Sequence, residues 1–179
     1  NVHESVGHAI VRALKRHGVE CTFGQSLPTM FQLSAEAGGI KQIVYRTENA
    51  GGYMADAYAR LTGKPGIVTA QNGPAAALLI APLAEALKAS IPVIALVQDV
   101  SRLQTDKNAF QDLDHLGMFG AVSKWVRRVN EPSRVDDYID QAFAMACSGR
   151  PGPVVLLFPS DVLTEPAVAS TRTACLGQY

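Results

Sequence analysis

The sequence predicts an α/β domain built as a three-layer sandwich, with a mostly parallel sheet covered by helices on both faces. Segments of strand periodicity and of helical periodicity alternate along most of the chain, which is typical of this architecture. Val154 to Phe158 is a continuous apolar run, as a strand buried on both faces requires. The 179 residues, 47% of them hydrophobic, suffice for one domain. In such a fold, ligands are expected at the carboxyl ends of the strands.

The amino-terminal part predicts a helix, a strand and a second helix. Apolar residues recur at helical spacing from Val6 to Leu14, and Gly18 stands where a left-handed C-terminal cap is expected. Cys21 to Phe23 predicts a short strand that ends at Gly24. Pro28 suits the first turn of the second helix, which is predicted to extend to about residue 37.

Two further strands enclose a long helix. Ile40 to Tyr45 predicts a strand, and Thr47 then caps a helix that ends at Gly63. The predicted apolar face of this helix consists of Ala50, Tyr53, Met54, Ala57, Tyr58 and Leu61. Ile67 to Ala70 predicts a third strand, and the turn Asn72-Gly73-Pro74 leads from it into an alanine-rich helix over 75–89.

The remaining elements complete the sheet. Val93 to Val97 predicts a fourth strand, whereas 98–120 is irregular and longer than a usual connection, so we expect a functional loop there. Trp125 to Val129 predicts a strand and Val135 to Ala146 an amphipathic helix before the apolar strand at 154–158. Because the periodicity decays after Asp161, we expect a domain over 1–165 and the start of a linker over 166–179.

Composition excludes several functional classes. The 16 basic and 16 acidic residues cancel, whereas a protein that binds nucleic acid usually carries a basic excess. The longest apolar stretch, 75–89, is too short and too interrupted to span a bilayer. The three cysteines are far apart and form no disulfide or ligand pattern, which favours a cytoplasmic setting. The first residues also lack the leader of a signal peptide, so we expect a trimmed amino terminus.

Polar or glycine-bearing turns follow four of the predicted strands, where this fold class binds ligands. They are Gly24-Gln25, Arg46-Thr47-Glu48, the turn from Gln71 to Pro74, and Gln98-Asp99. Glu48 is the only carboxylate in the three turns that lead promptly into helices. A Glu in the first helical turn also stabilises the helix dipole, so its position fits a structural role as well as a functional one.

Motifs of several common sites are missing. The chain contains no Gly-x-Gly-x-x-Gly, no Gly-x-x-x-x-Gly-Lys-[Ser/Thr] and no Gly-x-Ser-x-Gly. No metal site is predicted, because the four histidines form no His-Glu-x-x-His pair. Three of them lie on or near the first helix, where we expect a solvated surface role. His115 lies in the long loop and stays open as a functional contact.

The stretch from Arg46 to Gly66 resembles the segment around the catalytic glutamate of thiamine diphosphate enzymes of the acetolactate synthase type. Five further blocks resemble the amino-terminal pyrimidine-binding domain of this family, in the same order. These blocks are Gly18 to Gly24, Asn72-Gly73-Pro74, Ala109 to Asp112, Ser123-Lys124-Trp125, and Ser148 to Val154. The resemblance covers about Ser5 to Val162 and implies the thiamine diphosphate-binding fold.

The resemblance assigns a role to Glu48. The matching glutamate hydrogen-bonds a pyrimidine nitrogen of the cofactor and promotes the imino tautomer, which takes the proton from the thiazolium carbon. Such a carboxylate must share a proton near neutral pH, so we expect Glu48 to face a pocket that excludes water. The other residues implied for cofactor contact are Gly24, Gln25, Gly73, Pro74 and Gln111, and those implied for the substrate are Phe110, Gln111 and Lys124. On local grounds Lys124 fits an exposed strand end equally well.

Several positions depart from the family pattern. The family's Gly-x-Pro-Gly-Gly after the first strand is here Gly24 to Pro28, in a shorter loop. Ala75 and Leu78 stand where a glycine and an asparagine are common, and Phe-Gln-Glu is replaced by Phe110-Gln111-Asp112. The changes fit a divergent relative as well as an acetolactate synthase.

The family's diphosphate-binding motif, Gly-Asp-Gly with a later Asn-Asn, does not occur in this chain. The resemblance therefore implies that Mg²⁺ is held by a separate carboxyl-terminal domain and that the chain is an excised amino-terminal domain. It also implies a homodimer through the pyrimidine-binding domain, with the cofactor shared with the carboxyl-terminal domain of another subunit. The substrate is then a small 2-oxoacid, and FAD is a second cofactor that the resemblance allows.

Three alternatives stay open at this stage. The first is a 2-oxoacid decarboxylase of the same superfamily, although Phe110-Gln111 favours carboligation. The second is a non-catalytic regulatory or assembly module with the same fold, which the altered first loop and Leu78 favour. The third is a flavodoxin-like nucleotide binder, which leaves the blocks of resemblance unexplained.

Overall fold

The computed structural model of the chain describes residues 3–25 and 38–174. Its strands are β1 Cys21–Gly24, β2 Lys41–Val44, β3 Gly66–Ala70, β4 Val93–Asp99, β5 Trp125–Arg128 and β6 Val154–Pro159. Its helices are α1 Val6–Arg16, α2 Glu48–Thr62, α3 Pro74–Ala77, α4 Ile80–Ala89, α5 His115–Gly120, α6 Val135–Cys147 and α7 Ser160–Thr164. Short 3₁₀ turns lie at Arg102–Gln104 and Pro132–Arg134.

The described strands form one six-stranded sheet in the order β2-β1-β3-β4-β6-β5, and every pair of neighbours is parallel. Successive side chains of a strand point to opposite faces, so each inner strand contributes to two cores. On one face, Ile94 and Leu156 pack with α1 and α6. On the other, Ala95 and Leu157 pack with α2 and α4. The predicted three-layer α/β sandwich is confirmed.

Most element bounds agree with the sequence prediction. Gly18 and Gly63 have φ values of 75° and 72°, so both adopt the left-handed conformation expected after α1 and α2. β6 is buried along its whole length, as its apolar run predicts. The predicted helix over 28–37 and the last residues of the predicted linker, 175–179, lie outside the described residues.

The apolar face predicted for α2 is wrong. Its buried residues are Gly51, Gly52, Ala55, Asp56 and Ala59, whereas Tyr53, Met54 and Leu61 are 46%, 38% and 87% exposed. The small residues face the sheet because α2 packs closely against its neighbours. A Cβ on Gly51 would lie 2.2 Å from the Tyr45 ring, and a Cβ on Gly52 would lie 2.4 Å from Pro82 Cγ. Side-chain volume, rather than hydrophobicity, therefore determines which face of α2 is buried.

Two other predictions need correction. The helix predicted over 75–89 begins one residue earlier, at Pro74, and is interrupted at Leu78-Leu79, which separates α3 from α4. Pro82 explains the interruption, because a proline has no N–H to donate to the carbonyl of residue 78 and its ring clashes with that carbonyl. The irregular segment 98–120 contains a helix, α5, at its end.

The described end of the chain continues along the domain. Ser5 and Pro166 form an antiparallel bridge, and the Ala167 N–H donates to the Glu4 carbonyl over 2.8 Å. Arg172 forms ion pairs with Asp137 and Asp140 of α6. The boundary predicted at residue 165 stays a prediction. Every helix in the described residues is too short or too polar to span a bilayer.

Candidate active site

The carboxyl ends of four neighbouring strands, β2, β1, β3 and β4, bring the predicted turns to one edge of the sheet. β2 leads into Glu48, β1 ends at Gly24, β3 leads into Gly73, and β4 ends at Asp99. This arrangement follows directly from the all-parallel sheet, since parallel strands present their carboxyl ends on the same side. The first three predicted site turns therefore line one continuous edge.

The Gly73 turn is closely packed against Gln111. Gly73 has φ 73° and ψ −128°, a conformation that side chains disfavour. A Cβ at this position would lie 2.6 Å from both the Cβ and the carbonyl oxygen of Gln111. Gln111 itself has a positive φ of 58°. The structure thus brings two predicted cofactor residues, which are far apart in sequence, into direct contact.

Asn72 ties the same turn to the long loop. Its Nδ2 donates to the carbonyls of Phe110 and Gln111 over 3.2 and 3.1 Å. Its Oδ1 accepts a hydrogen bond from Gln98 over 3.3 Å. The loop segment that carries Phe110 and Gln111 is therefore held beside the end of β3. Phe110 remains 83% exposed, so its ring is free to contact a ligand or another domain.

His115 reaches the same turn from the other side. The Gly73 N–H donates to His115 Nε2 over 2.9 Å, and His115 Nδ1 lies 3.0 Å from Asp99 Oδ1. The side chains of His115 and Asp99 are fully buried. Burial alone would raise the pKa of Asp99, but its hydrogen bonds with His115 and Arg128 outweigh that effect and hold the pKa below its usual value. The sequence identifies Asp99 and His115 only as polar loop residues and does not predict that they pair.

Asp99, Asp112 and His115 also form a group with metal-ligand atoms within 4.8 Å of one another. Two of these three residues already bind other groups: Asp99 accepts from Arg128, and His115 accepts from Gly73. The Nε2 lone pair of His115 accepts the Gly73 N–H, so the ring proton sits on Nδ1, the atom that faces the carboxylates. A metal at Nδ1 requires a lone pair there. The hydrogen bonding of the group therefore favours a structural role over metal binding.

Glu48 begins α2 directly above Tyr45. The Tyr45 ring is 2% exposed, and its hydroxyl donates to the Thr69 carbonyl over 2.7 Å, which links the end of β2 to β3. Burial raises the pKa of Tyr45, and the charge of Glu48 adds to the rise. Because Gly51 has no side chain, the first turn of α2 lies against the ring. Tyr45 therefore positions the helix start that carries Glu48, a role that the sequence pattern does not reveal.

Gly24, Gln25 and Pro74 complete this edge. A Cβ on Gly24 would lie 2.3 Å from Thr69 Oγ1, so a side chain at this position would require the Thr69 hydroxyl to move. Gln25 and Pro74 are exposed. Glu48 is half-buried. This edge therefore presents the half-buried carboxylate of Glu48, the backbone at Gly24 and the exposed apolar ring of Pro74.

Lys124 lies elsewhere. It precedes the first residue of β5 and therefore sits at the amino edge of the sheet, opposite the other predicted site residues. Its ammonium group donates to the carbonyls of Met145 and Ser148 at the end of α6, the latter over 2.9 Å. This contact satisfies helix-terminal carbonyls. The substrate-contact role of Lys124 stays a prediction.

The sequence profile of one protein family, described as the thiamine pyrophosphate enzyme amino-terminal TPP-binding domain, matches residues 4–118. The match contains every predicted site residue except Lys124. The chain belongs to this family. Thiamine pyrophosphate and thiamine diphosphate are two names for the same cofactor, so the family assignment agrees with the resemblance seen in the sequence.

Curated relatives support the same assignment. The acetolactate synthase of Arthrospira platensis is 39% identical over 160 residues, which cover 86% of this chain and 28% of the relative. The large subunit of acetolactate synthase isozyme 2 of Escherichia coli K12 is 37% identical over 155 residues, which cover 86% of this chain and 28% of that relative. A probable acetolactate synthase large subunit of Methanocaldococcus jannaschii is 35% identical over 156 residues, which cover 86% of this chain and 26% of that relative. The chain thus spans about a quarter of the length of these relatives.

The residues at the carboxyl edge fit the pyrimidine half of the cofactor. An aminopyrimidine ring needs an apolar surface and a carboxylate partner for a ring nitrogen, and the edge supplies exposed Pro74 and Phe110 together with half-buried Glu48. The glycines at 24 and 73 leave backbone rather than side chains at two strand ends. The diphosphate, by contrast, needs cationic or metal partners.

Proposed function

We propose that this chain is the pyrimidine-binding domain of an acetolactate synthase-like, thiamine diphosphate-dependent enzyme that joins 2-oxoacids. The observation that carries the proposal is the position of Glu48, at the start of α2 on the same sheet edge as the Gly73 turn. The names of the relatives and the family match support the same reaction class. Decarboxylation without carboligation remains the second activity to test.

In this proposal the chain's own residues bind and orient the cofactor and hold one proton. Glu48 would hydrogen-bond a pyrimidine nitrogen of the bound cofactor through its carboxylate and would hold a proton at that carboxylate. The surface that would contact the ring is formed by Gly24, Gln25, Gly73 and Pro74. The bound cofactor supplies the electron sink for 2-oxoacid cleavage, as organic cofactors do in general.

The remaining site residues act on the substrate side. Gln111 contacts the cofactor and the substrate, while Phe110 shields the reacting region from water. The exposure of Phe110 leaves its ring available for this contact. Lys124 is proposed to lie near the substrate entrance. Because it sits at the amino edge of the sheet, opposite the other site residues, this role requires an entrance that extends to that edge.

We further propose that Glu48 depends on burial in the assembled site. A hydrated carboxylate at a helix start has little reason to hold a proton near neutral pH, because the helix dipole favours its charge. Burial against an apolar ring acts in the opposite direction and raises a carboxyl pKa. Glu48 is half-buried before any ring covers it, so cofactor binding is expected to complete its removal from water.

The other half of the site is proposed to come from a partner subunit. Mg²⁺ and the cofactor diphosphate would be bound by a carboxyl-terminal domain, and FAD is a further cofactor to assay. A homodimer through this domain is supported by the apolar surface of α2, where Tyr53, Met54 and Leu61 are exposed. The free thiols of Cys21 and Cys147 suit the proposed cytoplasmic setting.

The test compares Glu48→Gln with Glu85→Gln in the full-length protein supplied with thiamine diphosphate and Mg²⁺. Pyruvate serves as the probe 2-oxoacid, and its consumption and the carboligated product are both measured. Glu85 is an exposed carboxylate on α4 and provides a matched control. We expect Glu48→Gln to lower turnover by roughly 10²-fold or more, the scale of lost acid–base catalysis, with cofactor still bound. Unchanged turnover would rule out the role of Glu48.

A wild-type protein that binds the cofactor without turning over any 2-oxoacid would favour the non-catalytic module. Release of CO₂ without a carboligated product would favour the decarboxylase. A flavodoxin-like binder would carry flavin absorbance through purification and would not bind thiamine diphosphate.

A further inference from the structure

The buried imidazole of His115 connects three segments: the start of α5, the end of β4 and the Gly73 turn. His115 begins α5, contacts Asp99 at the end of β4, and accepts the backbone N–H of Gly73. We infer that His115, oriented by Asp99, is a positioning residue that holds the Gly73-Pro74 turn and the Gln111 segment in the geometry the cofactor requires. This inference rests on the proposed function and adds to it a residue that the family resemblance does not assign.

The hydrogen bonds define the state of the ring. A backbone N–H is always a donor, so Nε2 of His115, 2.9 Å from the Gly73 nitrogen, must be the acceptor. In a neutral imidazole the proton is then on Nδ1, which faces Asp99 Oδ1 at 3.0 Å. The carboxylate thus selects the tautomer that leaves Nε2 free to accept. Protonation of Nε2 would set two donors against each other and release Gly73.

Asp99 is itself held in place. Its Oδ1 accepts the Val100 N–H over 2.8 Å, and its Oδ2 accepts Arg128 Nε over 2.8 Å together with a second contact from Nη2. The Asp99 side chain is fully buried. Arg128 balances the carboxylate charge, so the pair can direct His115 without leaving an unpaired buried charge.

The Gly73 N–H needs this acceptor. Gly73 is buried and lies just before the first residue of α3, where helix N–H groups have no partner within the helix. A buried donor without an acceptor is costly, so His115 stabilises the turn in its positive-φ conformation. Gln111 packs on the same glycine, and Asn72 holds the Gln111 carbonyl, so displacement of the turn would also move Gln111.

Two other interpretations of the Asp99–His115 pair are weaker. In a nucleophile-activating dyad the far ring nitrogen faces a hydroxyl or a thiol, whereas here it faces a backbone N–H. In a metal site with Asp112, Nδ1 would need a lone pair, which the Gly73 hydrogen bond places on Nε2 instead. Positioning therefore explains the hydrogen bond at Nε2 and the 3.0 Å approach of Nδ1 to Asp99.

The first experiment uses hydrogen exchange on the full-length protein without cofactor and compares His115→Gln with His115→Asn. The Gln Oε1 atom can occupy the place of Nε2 and accept the Gly73 N–H, whereas the shorter Asn side chain reaches only the place of Nδ1. We expect the Gly73 amide, resolved by fragmentation, to exchange about tenfold faster in the Asn variant than in the Gln variant, the factor for losing one hydrogen bond of typical strength. Faster exchange over 109–112 should accompany it.

The second measurement is the dissociation constant of thiamine diphosphate with Mg²⁺, together with kcat and KM. We expect His115→Asn to weaken cofactor binding about tenfold and His115→Gln to restore it to within about threefold. His17→Gln is the matched control, because His17 also pairs with an aspartate, Asp140, and its side chain is only 2% exposed, but it lies on α1's side of the sheet. The control should lower thermal stability without changing cofactor affinity.

The outcomes are separable from those of the proposed function. If wild type neither binds cofactor nor turns over substrate, the proposed function fails, while the exchange contrast between the Asn and Gln variants still tests the hydrogen bond. If both His115 variants bind cofactor like wild type, or if Gln and Asn exchange alike at Gly73, the positioning role is overturned. In the cofactor-free protein, a stoichiometric divalent ion that both variants lose would also overturn it in favour of a metal site.

Discussion

At the scale of single residues, Gly73 combines three requirements in one position. Its backbone adopts φ 73°, its missing side chain admits Gln111, and its N–H is bound by His115. Each of these alone would favour glycine or a local acceptor, and together they make the turn sensitive to any added atom. Gly63 shares the positive φ but has ψ 8° instead of −128°, and a Cβ added there would meet no atom within 4 Å.

We expect Gly73→Ala to lower the free energy of unfolding by more than Gly63→Ala does. Backbone strain costs roughly 1 kcal/mol in the left-handed conformation of Gly63. It costs about 1–3 kcal/mol in the conformation of Gly73, which side chains avoid more strongly. Only Gly73→Ala adds a clash with Gln111, so its total should reach about 2–4 kcal/mol, the range of strain plus overpacking. Urea unfolding of both variants checks this. Equal losses would contradict both the larger backbone strain at Gly73 and the clash with Gln111.

His17 gives a second prediction at this scale. Its ring stacks on Phe143 at 4.1 Å, and burial lowers its pKa below the usual value although Asp140 acts in the opposite direction. The unfolded state therefore binds the proton more readily than the folded state. Stability should be complete above the unfolded pKa of about 6.5 and decline as the pH falls below it.

The free energy of unfolding of wild type should accordingly decrease between pH 7 and 5, a window set by the usual pKa of about 6.5 for an unfolded histidine. In His17→Gln, which cannot take up the proton, the slope over the same window should be smaller. Denaturant unfolding at several pH values checks both. A wild-type slope that the substitution leaves unchanged would assign the pH dependence to other groups.

At the scale of elements, α2 shows how helix packing places the carboxylate of Glu48, which we propose acts on the cofactor. The face made of Gly51, Gly52 and Ala55 lets the helix axis lie close to Tyr45 and Pro82. That closeness sets where the first turn, with Glu48, meets the sheet edge. Larger side chains on this face would lift α2 from the sheet and move Glu48 outward.

Gly52→Ala should destabilise the protein even though alanine has a higher helix propensity than glycine by about 1 kcal/mol. The added Cβ would lie 2.4 Å from Pro82 Cγ, and a proline ring has little freedom to move. We expect a net loss of about 1–3 kcal/mol. Gly120→Ala in α5, where a Cβ meets no atom within 4 Å, is the control and should be neutral or stabilising. Thermal unfolding distinguishes the two.

At the scale of the whole molecule, the apolar residues that α2 leaves exposed are the place where the proposed dimer interface would lie. Tyr53, Met54 and Leu61 lie outside the packed glycine face of the helix. A monomer gains nothing from exposing them together, whereas a second copy could cover them. The proposed homodimer therefore gives a prediction that does not depend on catalysis.

We expect Leu61→Asp to shift the full-length protein toward a monomer, because Leu61 is 87% exposed and a charge there would oppose an apolar contact. Val168→Asp, at a residue that is 49% exposed near the described end of the chain, is the control and should leave association unchanged. Sedimentation velocity across a dilution series checks both variants. Identical association of the Leu61 variant and wild type would remove α2 from the interface.

The sequence determined the order of the elements, the parallel sheet and the strand ends that carry Gly24, Glu48 and Gly73. These follow from local periodicity and from the rule that parallel strands share a carboxyl edge, so no long-range contact has to be known. The family blocks added the expected role of Glu48. The order of the elements and the positions of the strand ends can therefore be predicted from the pattern of side-chain types along the chain.

Only the tertiary structure decided which face of α2 is buried, where the alanine-rich helix breaks, and how Asp99 meets His115. Hydrophobicity identifies an apolar face but not whether the core or another surface covers it. For that reason the sequence predicts Tyr53 on the buried face of α2, whereas it is 46% exposed. The contact of His115 with Gly73 joins residues 42 positions apart through an irregular loop. Loop paths depend on packing and buried hydrogen bonds rather than on periodicity, and for that reason the residues that position this site emerge only from the folded chain.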